Sequence, residues 1–451
     1  MSGRGPVSTG SPLLPIDPMG VGEEMHAFIA DLFPICRSIT GEGVRETIGS
    51  IGRFVPLDVS EVPSGTPVLD WTIPREWNIR DAYVADPSGK RVIDFKASNL
   101  HVVSYSVPFR GRLGLGSLRE HLHTLPKHPD WIPYRTSYYR ESWGFCLSQR
   151  QLEAIPDGEY EVCIDASLRD GHLTYAECYL PGVMREEILF SCHICHPSLA
   201  DDNLSGVAVC TFLAQRLMQL ERRYSYRFLF VPGTIGSLAW LARNDSLLDR
   251  IRHGLVLACV GDAAPFTYKR SRRGDTEVDR AMEHVLRHAA PDHQIIDFDP
   301  YGYDERQYCS PGFDLPVGSL SRSRHGTFPE YHTSADNLAF VHPAALEESL
   351  AVTQGVIEVL EGNRTYRNLF PKGEPQLGRR GLYTSLGGRD AEAEQMALLW
   401  VLNQSDGQHS LLEIADRAGM AFGDIRIAAD RLLEHGLLEP VGAPDSAVDG
   451  Q

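Results

Sequence analysis

Residues Phe190–Gly206 read Phe-Ser-Cys-His-Ile-Cys-His-Pro-Ser-Leu-Ala-Asp-Asp-Asn-Leu-Ser-Gly. Two imidazoles, two thiols and two carboxylates fall within about a dozen residues, a donor density that suits a metal ion. Three chemistries compete for the loop. Cys192-His193-Ile194-Cys195-His196 matches the C-x-x-C-H pattern of c-type haem attachment. The same thiols could form a redox pair. In the third, carboxylates and imidazoles bind zinc and the thiols are small buried fillers. The third is favoured, because haem attachment has no use for Asp202-Asn203-Leu204-Ser205-Gly206.

The elements around the loop fit that chemistry. The apolar run Ile188-Leu189-Phe190 leads in, and Val207, Val209, Phe212, Leu213 and Leu217 lead out at helical spacing. Strand, polar loop, helix is the arrangement in which α/β sheets place ligands at strand ends. Further buried strands are expected at Phe228–Val231 and Leu255–Val260, with helices at Val207–Leu220, Ile235–Leu241, Asp279–His288 and Pro343–Leu360. Glu159–Ile164 and Leu173–Leu180 alternate like paired strands about a turn at Arg169-Asp170-Gly171. The expected fold is α/β, a mainly parallel sheet sandwiched by helices.

Residues 1–21 are rich in Gly, Pro and Ser and are expected to be disordered. A helical pattern from Gly22 puts Met25, Phe28, Ile29, Leu32 and Phe33 on one face; a second helix spans Val44–Phe54. From 65 to 156 the texture changes to short apolar strands, at 82–85, 92–95 and 100–106, with a hairpin turn at Asp86-Pro87-Ser88-Gly89. This reads as a small β-rich insert, so the main domain is 22–64 with 157–365. Trp131, Tyr134, Tyr138, Tyr139 and Trp143 crowd its far end, as core packing or as a rim over the site. A linker covers 376–388. Residues 389–441 carry three helical stretches, at 391–402, 410–417 and 424–435, and a closing strand, a winged-helix pattern.

Composition narrows the partners. The chain has 451 residues, 42% hydrophobic and 23% charged, and a formal net charge of −17, so a general nucleic-acid binder is disfavoured. Arg426 and Arg431 on the last helix face Asp424, Asp430 and Glu434, and phosphate contacts need a positive excess. Protein contact or dimerisation, through the winged helix or the insert, is the better expectation. Nine cysteines, no signal-like segment and no long apolar run point to a cytoplasmic protein with free thiols and no membrane span.

Phe190-Ser191-Cys192-His193 with Asp202-Asn203-Leu204-Ser205-Gly206 resembles the first two metal motifs of zinc aminopeptidases of the bacterial leucyl aminopeptidase type. Pro329-Glu330-Tyr331-His332-Thr333-Ser334-Ala335-Asp336 resembles their last motif, a ligand His preceded by Tyr and followed by Thr-x-x-Asp. Phe266-Thr267-Tyr268-Lys269 and Asp304-Glu305-Arg306-Gln307-Tyr308 resemble a bacterial subgroup. Its members carry an inserted domain and a C-terminal winged helix, and occur among polysaccharide and natural-product biosynthesis proteins. The resemblance implies Zn2+, one or two ions. Asp202 would bridge, His332 would be the distal ligand, and His193 or His196 the strand-end ligand. Asp262 would be a further ligand or a turn residue. Asp201 is expected to face solvent. Tyr331 would hydrogen-bond an oxyanion.

One departure stands out. The family places a Glu pair, and the subgroup Pro-Glu-Thr-Ile-Gly-Ser, after the strand Phe228-Leu229-Phe230-Val231. Here the sequence is Pro232-Gly233-Thr234-Ile235-Gly236-Ser237. Glycine neither binds zinc nor moves a proton, so a mononuclear site follows, with Glu330 or Glu305 as replacement base. Arg306, Lys269, Arg270 and His325 could hold a substrate carboxylate or phosphate. The expected activity is hydrolysis of an amide or peptide-like bond in a small-molecule or short peptide-like substrate. The alternatives are a non-catalytic scaffold and a winged-helix regulator.

Overall fold

The computed structural model describes residues 20–382 and 389–442. The segment 1–19 and the end of the expected linker, 383–388, lie outside the described residues. The described chain divides into two compact units, 20–279 with 292–351, and 280–291 with 352–382 and 389–442.

The first unit is built on an eight-stranded sheet. In spatial order its strands are Asp58–Pro63, His172–Leu180, Ser225–Val231, Glu187–His193, Ile251–Leu257, Val317–Ser321, Thr267–Lys269 and Gln294–Ile296. The central four run parallel, and His172–Leu180 runs antiparallel to its neighbours. Glu187–His193 and Ser225–Val231 are buried at every position, as strands covered on both faces must be. Phe190 stacks on Phe228 with ring centres 5.0 Å apart. Ser191, which alternation sends to the other face, bonds the Tyr308 hydroxyl at 2.9 Å. Helices Val21–Leu32 and Gly206–Leu217 are joined through Phe28, Phe54 and Phe212, with centroids 4.8 to 6.3 Å apart.

A separate four-stranded sheet holds Arg91–Asp94, Glu76–Ala85, Glu159–Arg169 and Phe109–Gly114. Two expectations fail here. Glu159–Arg169 and His172–Leu180 are consecutive strands but do not pair; each enters a different sheet. The turn between them is held crosswise, with Gly171 N–H on Ser64 Oγ and His172 N–H on Glu76 Oε2. Alternation reports burial on one side and is blind to which sheet provides it. Leu100–Ser106 is not a strand. It opens with a 3-10 turn at Asn99–His101 and makes only single bridges. Tyr105 has φ 68°, which no extended strand accommodates, and hydroxyl bonds Ser38–Ser104 and Thr40–Tyr105 anchor the segment instead.

The second unit contains helices Arg389–Gln404, Leu411–Ala418 and Phe422–Glu434. A three-stranded antiparallel sheet joins Asp406–Ser410, Thr365–Asn368 and Leu438–Pro440. Ser410 and Glu413 form a capping box, and Gly419, at φ 64°, ends the helix. The first two strands were not expected. They are short and half-exposed, so no apolar run betrays them. Among the described residues no helix is long and apolar enough to cross a membrane.

Candidate metal centre

The site is assembled at the C-terminal end of the parallel strands around one carboxylate. Asp202 is fully buried. His193, the last residue of its strand, puts Nε2 2.8 Å from Asp202 Oδ1. His332 Nε2 lies 3.0 Å from Oδ2, and His196 Nε2 lies 3.9 Å from the same oxygen. The sequence-predicted His193, His196, Asp202 and His332 are therefore brought together. Burial opposes the charged form of Asp202, but the three imidazoles outweigh it and hold the carboxyl well below its usual range.

Two atoms need explaining. Asp202 Oδ2 and His332 Nε2 are both buried, and neither makes a hydrogen bond. They are close, yet misaligned for bonding to each other. Buried polar atoms are rarely left so. A tetrahedral zinc with bonds of about 2.0–2.1 Å separates its ligand atoms by roughly 3.3 Å. His193, His196 and Asp202 are a donor set that fits zinc, and His332 approaches the same carboxylate. His193, His196 and Asp202 offer ligand atoms all within 4.8 Å of one another. The Cys195 Sγ contact at 3.3 Å to His196 Nδ1 leaves Nε2 as the nitrogen facing Asp202, the outer-shell arrangement that orients a ligand ring.

The surrounding loops are fixed with care. Asp336 Oδ1 accepts from the N–H groups of Ala200 and Asp201, at 3.1 and 2.6 Å, and Oδ2 accepts from Asp202 N–H at 3.0 Å. One carboxylate thus sets the path of the loop. Asp336 closes the last motif with no role assigned from the sequence; its signal there is the Thr-x-x-Asp spacing. His332 sits at φ 57°, an uncommon region for a non-glycine residue. Its carbonyl accepts from Tyr134 N–H, and Ser334 N–H donates to Ile132 O. The Tyr134 ring lies 5.2 Å from both His196 and His332. Of the aromatic cluster, Tyr134 walls the site. Trp143 packs between Phe109 and His121, and Tyr139 is half-exposed against Trp71.

The other candidates separate. Asp201 does not face solvent: it is fully buried, with Oδ1 accepting from Gly261 N–H at 2.7 Å. Burial, with Asp262 and Asp336 beside it, pushes its carboxyl well above the usual range. The segment needs Asp201 inward because it closes the Gly261 turn. Asp262 lies outside the imidazole group; its oxygens accept from Ala264 N–H and Ser323 N–H, at 2.6 and 3.0 Å. Glu305 is buried in an ion pair with Lys269, at 2.6 Å. Arg270 pairs with Asp297 at 2.8 Å. Arg306 lies over the Tyr301 ring, and His325 packs between Tyr301 and Tyr303. Glu330 is half-buried two residues from His332, and Tyr331 stacks on His332 at 4.0 Å. Cys192 and Cys195 are free and buried. Burial raises both thiols, Cys195 to about 12, which leaves neither a reactive thiolate.

Asp304 was missed as a site residue. It is buried beside the centre: Oδ1 accepts from Ser237 Oγ at 2.8 Å, and Oδ2 has no partner. A Cβ built on Gly233 would stand 3.4 Å from Asp304 Oδ2 and 3.0 Å from His193 Cβ. Asp304 therefore occupies the space beside Gly233.

The fold is aminopeptidase-like. A zinc aminopeptidase from Bacillus subtilis superposes with a TM-score of 0.57 at 12% identity, covering 78% of this chain and 96% of that one; that likeness is one of fold. Residues 26–363 match the family model described as a domain of unknown function (DUF4910), and 364–440 match a winged helix-turn-helix model. The chain belongs to the DUF4910 family and carries a C-terminal winged helix. A relative from Clostridium acetobutylicum, provisionally named a polysaccharide biosynthesis protein with aminopeptidase-like domain, is 53% identical over 93% of this chain and 97% of its own. A crystal structure from the same organism, provisionally named a peptidase, has a TM-score of 0.91 at 51% identity, covering 94% of this chain and 98% of that one.

Proposed function

We propose that the chain is a zinc-dependent hydrolase that cleaves an amide or peptide-like bond of a small substrate, possessing one zinc at Asp202 Oδ2 with His196 and His332. The observation that carries this reading is the pair of buried, unbonded atoms Asp202 Oδ2 and His332 Nε2, 3.0 Å apart. His193 holds the other oxygen of Asp202. When bound, zinc supplies a Lewis acid for a carbonyl and acidifies water toward neutral pH. The rings of Tyr134 and Tyr331 flank His332, at 5.2 and 4.0 Å. Asp304 Oδ2, beside His193, is the carboxylate we assign to take up a proton, with Glu330, two residues from His332, as the alternative. The Clostridium acetobutylicum relative's name supports a biosynthetic setting. Buried free thiols favour a reducing, cytoplasmic location. DNA is not the expected partner: on helix Phe422–Glu434, Arg426 lies 3.8 Å from Asp430 and Arg431 3.3 Å from Glu394. The winged helix fits better as a contact between protein chains.

Zinc content by mass spectrometry tests this on wild type, Asp202→Ala and His332→Ala. About one zinc per chain, lost in both variants, is the expected result. His193→Ala should weaken zinc binding roughly 10–100-fold, as loss of an outer-shell partner does, while His196→Ala should abolish it. No zinc in the wild type, with no turnover of aminoacyl and acyl-amide substrates, would replace this reading with the scaffold one, which Gly233 favours.

A further inference from the structure

His196 and His332, the imidazoles proposed to share zinc with Asp202 Oδ2, come from loops far apart in the chain. His332 lies in an irregular stretch between strand Val317–Ser321 and helix Pro343–Gly362. Its φ of 57° is sparsely populated by residues with a Cβ, and such a conformation persists only where neighbours impose it.

The neighbour here is a stretch about 200 residues earlier. Ile132-Pro133-Tyr134 runs antiparallel to 332–334 through a bridge between Pro133 and Thr333. Tyr134 N–H donates to His332 O and Ser334 N–H to Ile132 O, both at 2.8 Å. Ile132 N–H donates to Ser334 Oγ at 2.9 Å. Three hydrogen bonds thus fix the backbone of His332 and of the two residues after it.

The same stretch reaches the other loop. Tyr134 packs with Leu100 and with Leu199, three residues beyond His196, and Ile132 packs against that cluster. The Tyr134 ring centre is 5.2 Å from those of both His196 and His332, which lie 5.1 Å from each other. The three rings form a nearly equilateral triangle. At its far end the Tyr134 hydroxyl meets the Tyr138 hydroxyl at 3.1 Å, so the ring is tethered at both ends.

Zinc holds its ligand atoms at fixed separations, so groups outside the coordination shell must set them in advance. A close-packed ring does not compress. Lodged against both imidazoles, it limits how near they can approach, while the bonds to 332–334 stop His332 from swinging away. We propose that Tyr134 is a positioning residue of the metal centre: its ring spaces His196 from His332, and the Ile132–Tyr134 backbone holds His332 in place. This rests on the zinc part of the reading above and not on hydrolysis.

The test is zinc affinity by chelator competition, with the visible absorption of Co2+-loaded protein, on full-length wild type, Tyr134→Ala, Tyr134→Phe and Leu100→Ala. Leu100 belongs to the same cluster and is 2% exposed, so its truncation costs packing but leaves the triangle of rings. Both alanine variants should lower the urea midpoint. Only Tyr134→Ala should weaken zinc binding, roughly 10–100-fold, and change the Co2+ spectrum, which reports ligand geometry. Tyr134→Phe, which gives up only the bond to Tyr138, should restore both. If Tyr134→Ala fails to fold, Tyr134→Leu takes its place with the same expected loss. Undiminished zinc affinity without the ring, an equal loss in Leu100→Ala, or an equal loss in Tyr134→Phe overturns the proposal. Wild type that binds zinc but turns over no aminoacyl or acyl-amide substrate would remove the hydrolase and leave the positioning role; wild type without zinc would remove both.

Discussion

His193 and His253 lie on adjacent parallel strands of one sheet, and both are nearly inaccessible, at 3% and 4% exposure. Their environments are opposite. His193, at the C-terminal end of its strand, meets Asp202 at 2.8 Å. Burial works against its charged form, yet Asp202, Asp304 and Glu305 raise it above the usual histidine range. His253, near the other end of its strand, has both ring nitrogens without a hydrogen-bond partner, and the Glu277 carboxylate is 3.8 Å away. Burial lowers it to about 4. The sheet treats one imidazole as the partner of a buried carboxylate and the other as an aromatic ring packed on Tyr224. Strand polarity makes the difference: loops at the C-terminal ends collect the carboxylates.

The largest break in this contrast should come from Asp336, the residue that arranges the carboxylate end. Asp336→Ala leaves three buried N–H groups without their acceptor. A cost of about 3 kcal/mol or more is expected, together with zinc affinity reduced roughly 10–100-fold. Urea unfolding and competition with a chelator measure the two effects. Full zinc affinity in a folded Asp336→Ala protein would mean that the loop holds Asp202 without help.

His253 probes the other end through pH. Its ordinary value is 6.5 and its folded value about 4. Between these values the unfolded chain binds a proton that the folded chain refuses. Stability from this group is therefore complete above about 6.5 and is lost as pH falls toward 4. The full loss is at most about 3 kcal/mol. His253→Leu should remove this acid slope and leave stability near pH 7 within about 1 kcal/mol of wild type. Parallel slopes for the two proteins in urea unfolding from pH 7 to 4.5 would refute the assignment.

This contrast also marks what could be read from residues alone. The strand–loop–helix around His193 was legible because an apolar run, a polar loop and a helical period succeed one another there. His332, over a hundred residues away, was placed by its motif, since no local period points to Asp202. Asp201 was misread because two adjacent carboxylates look alike in sequence, whereas one faces imidazoles and the other Asp262 and Asp336. Asp304 was hidden for a related reason. Its value comes from Gly233, about seventy residues earlier in the chain, and only the folded structure brings the two together.

Gly233 gives the smallest expected effect and the sharpest view of the altered site. If glycine were merely a lost ligand, the space above it would be open. Instead a Cβ there meets His193 Cβ at 3.0 Å, and Asp304 Oδ2 at 3.4 Å is an ordinary contact. The tighter neighbour sits at the end of a buried central strand and has little room to move. Gly233→Ala should therefore cost about 1 kcal/mol, and adding Asp304→Ala should not recover it, because the crowding comes from His193. Gly233→Glu should cost more and leave the zinc count unchanged. Stability at the wild-type level in Gly233→Ala, with a second zinc in Gly233→Glu, would show the opposite: that His193 yields, and that the position lacks a carboxylate and nothing else.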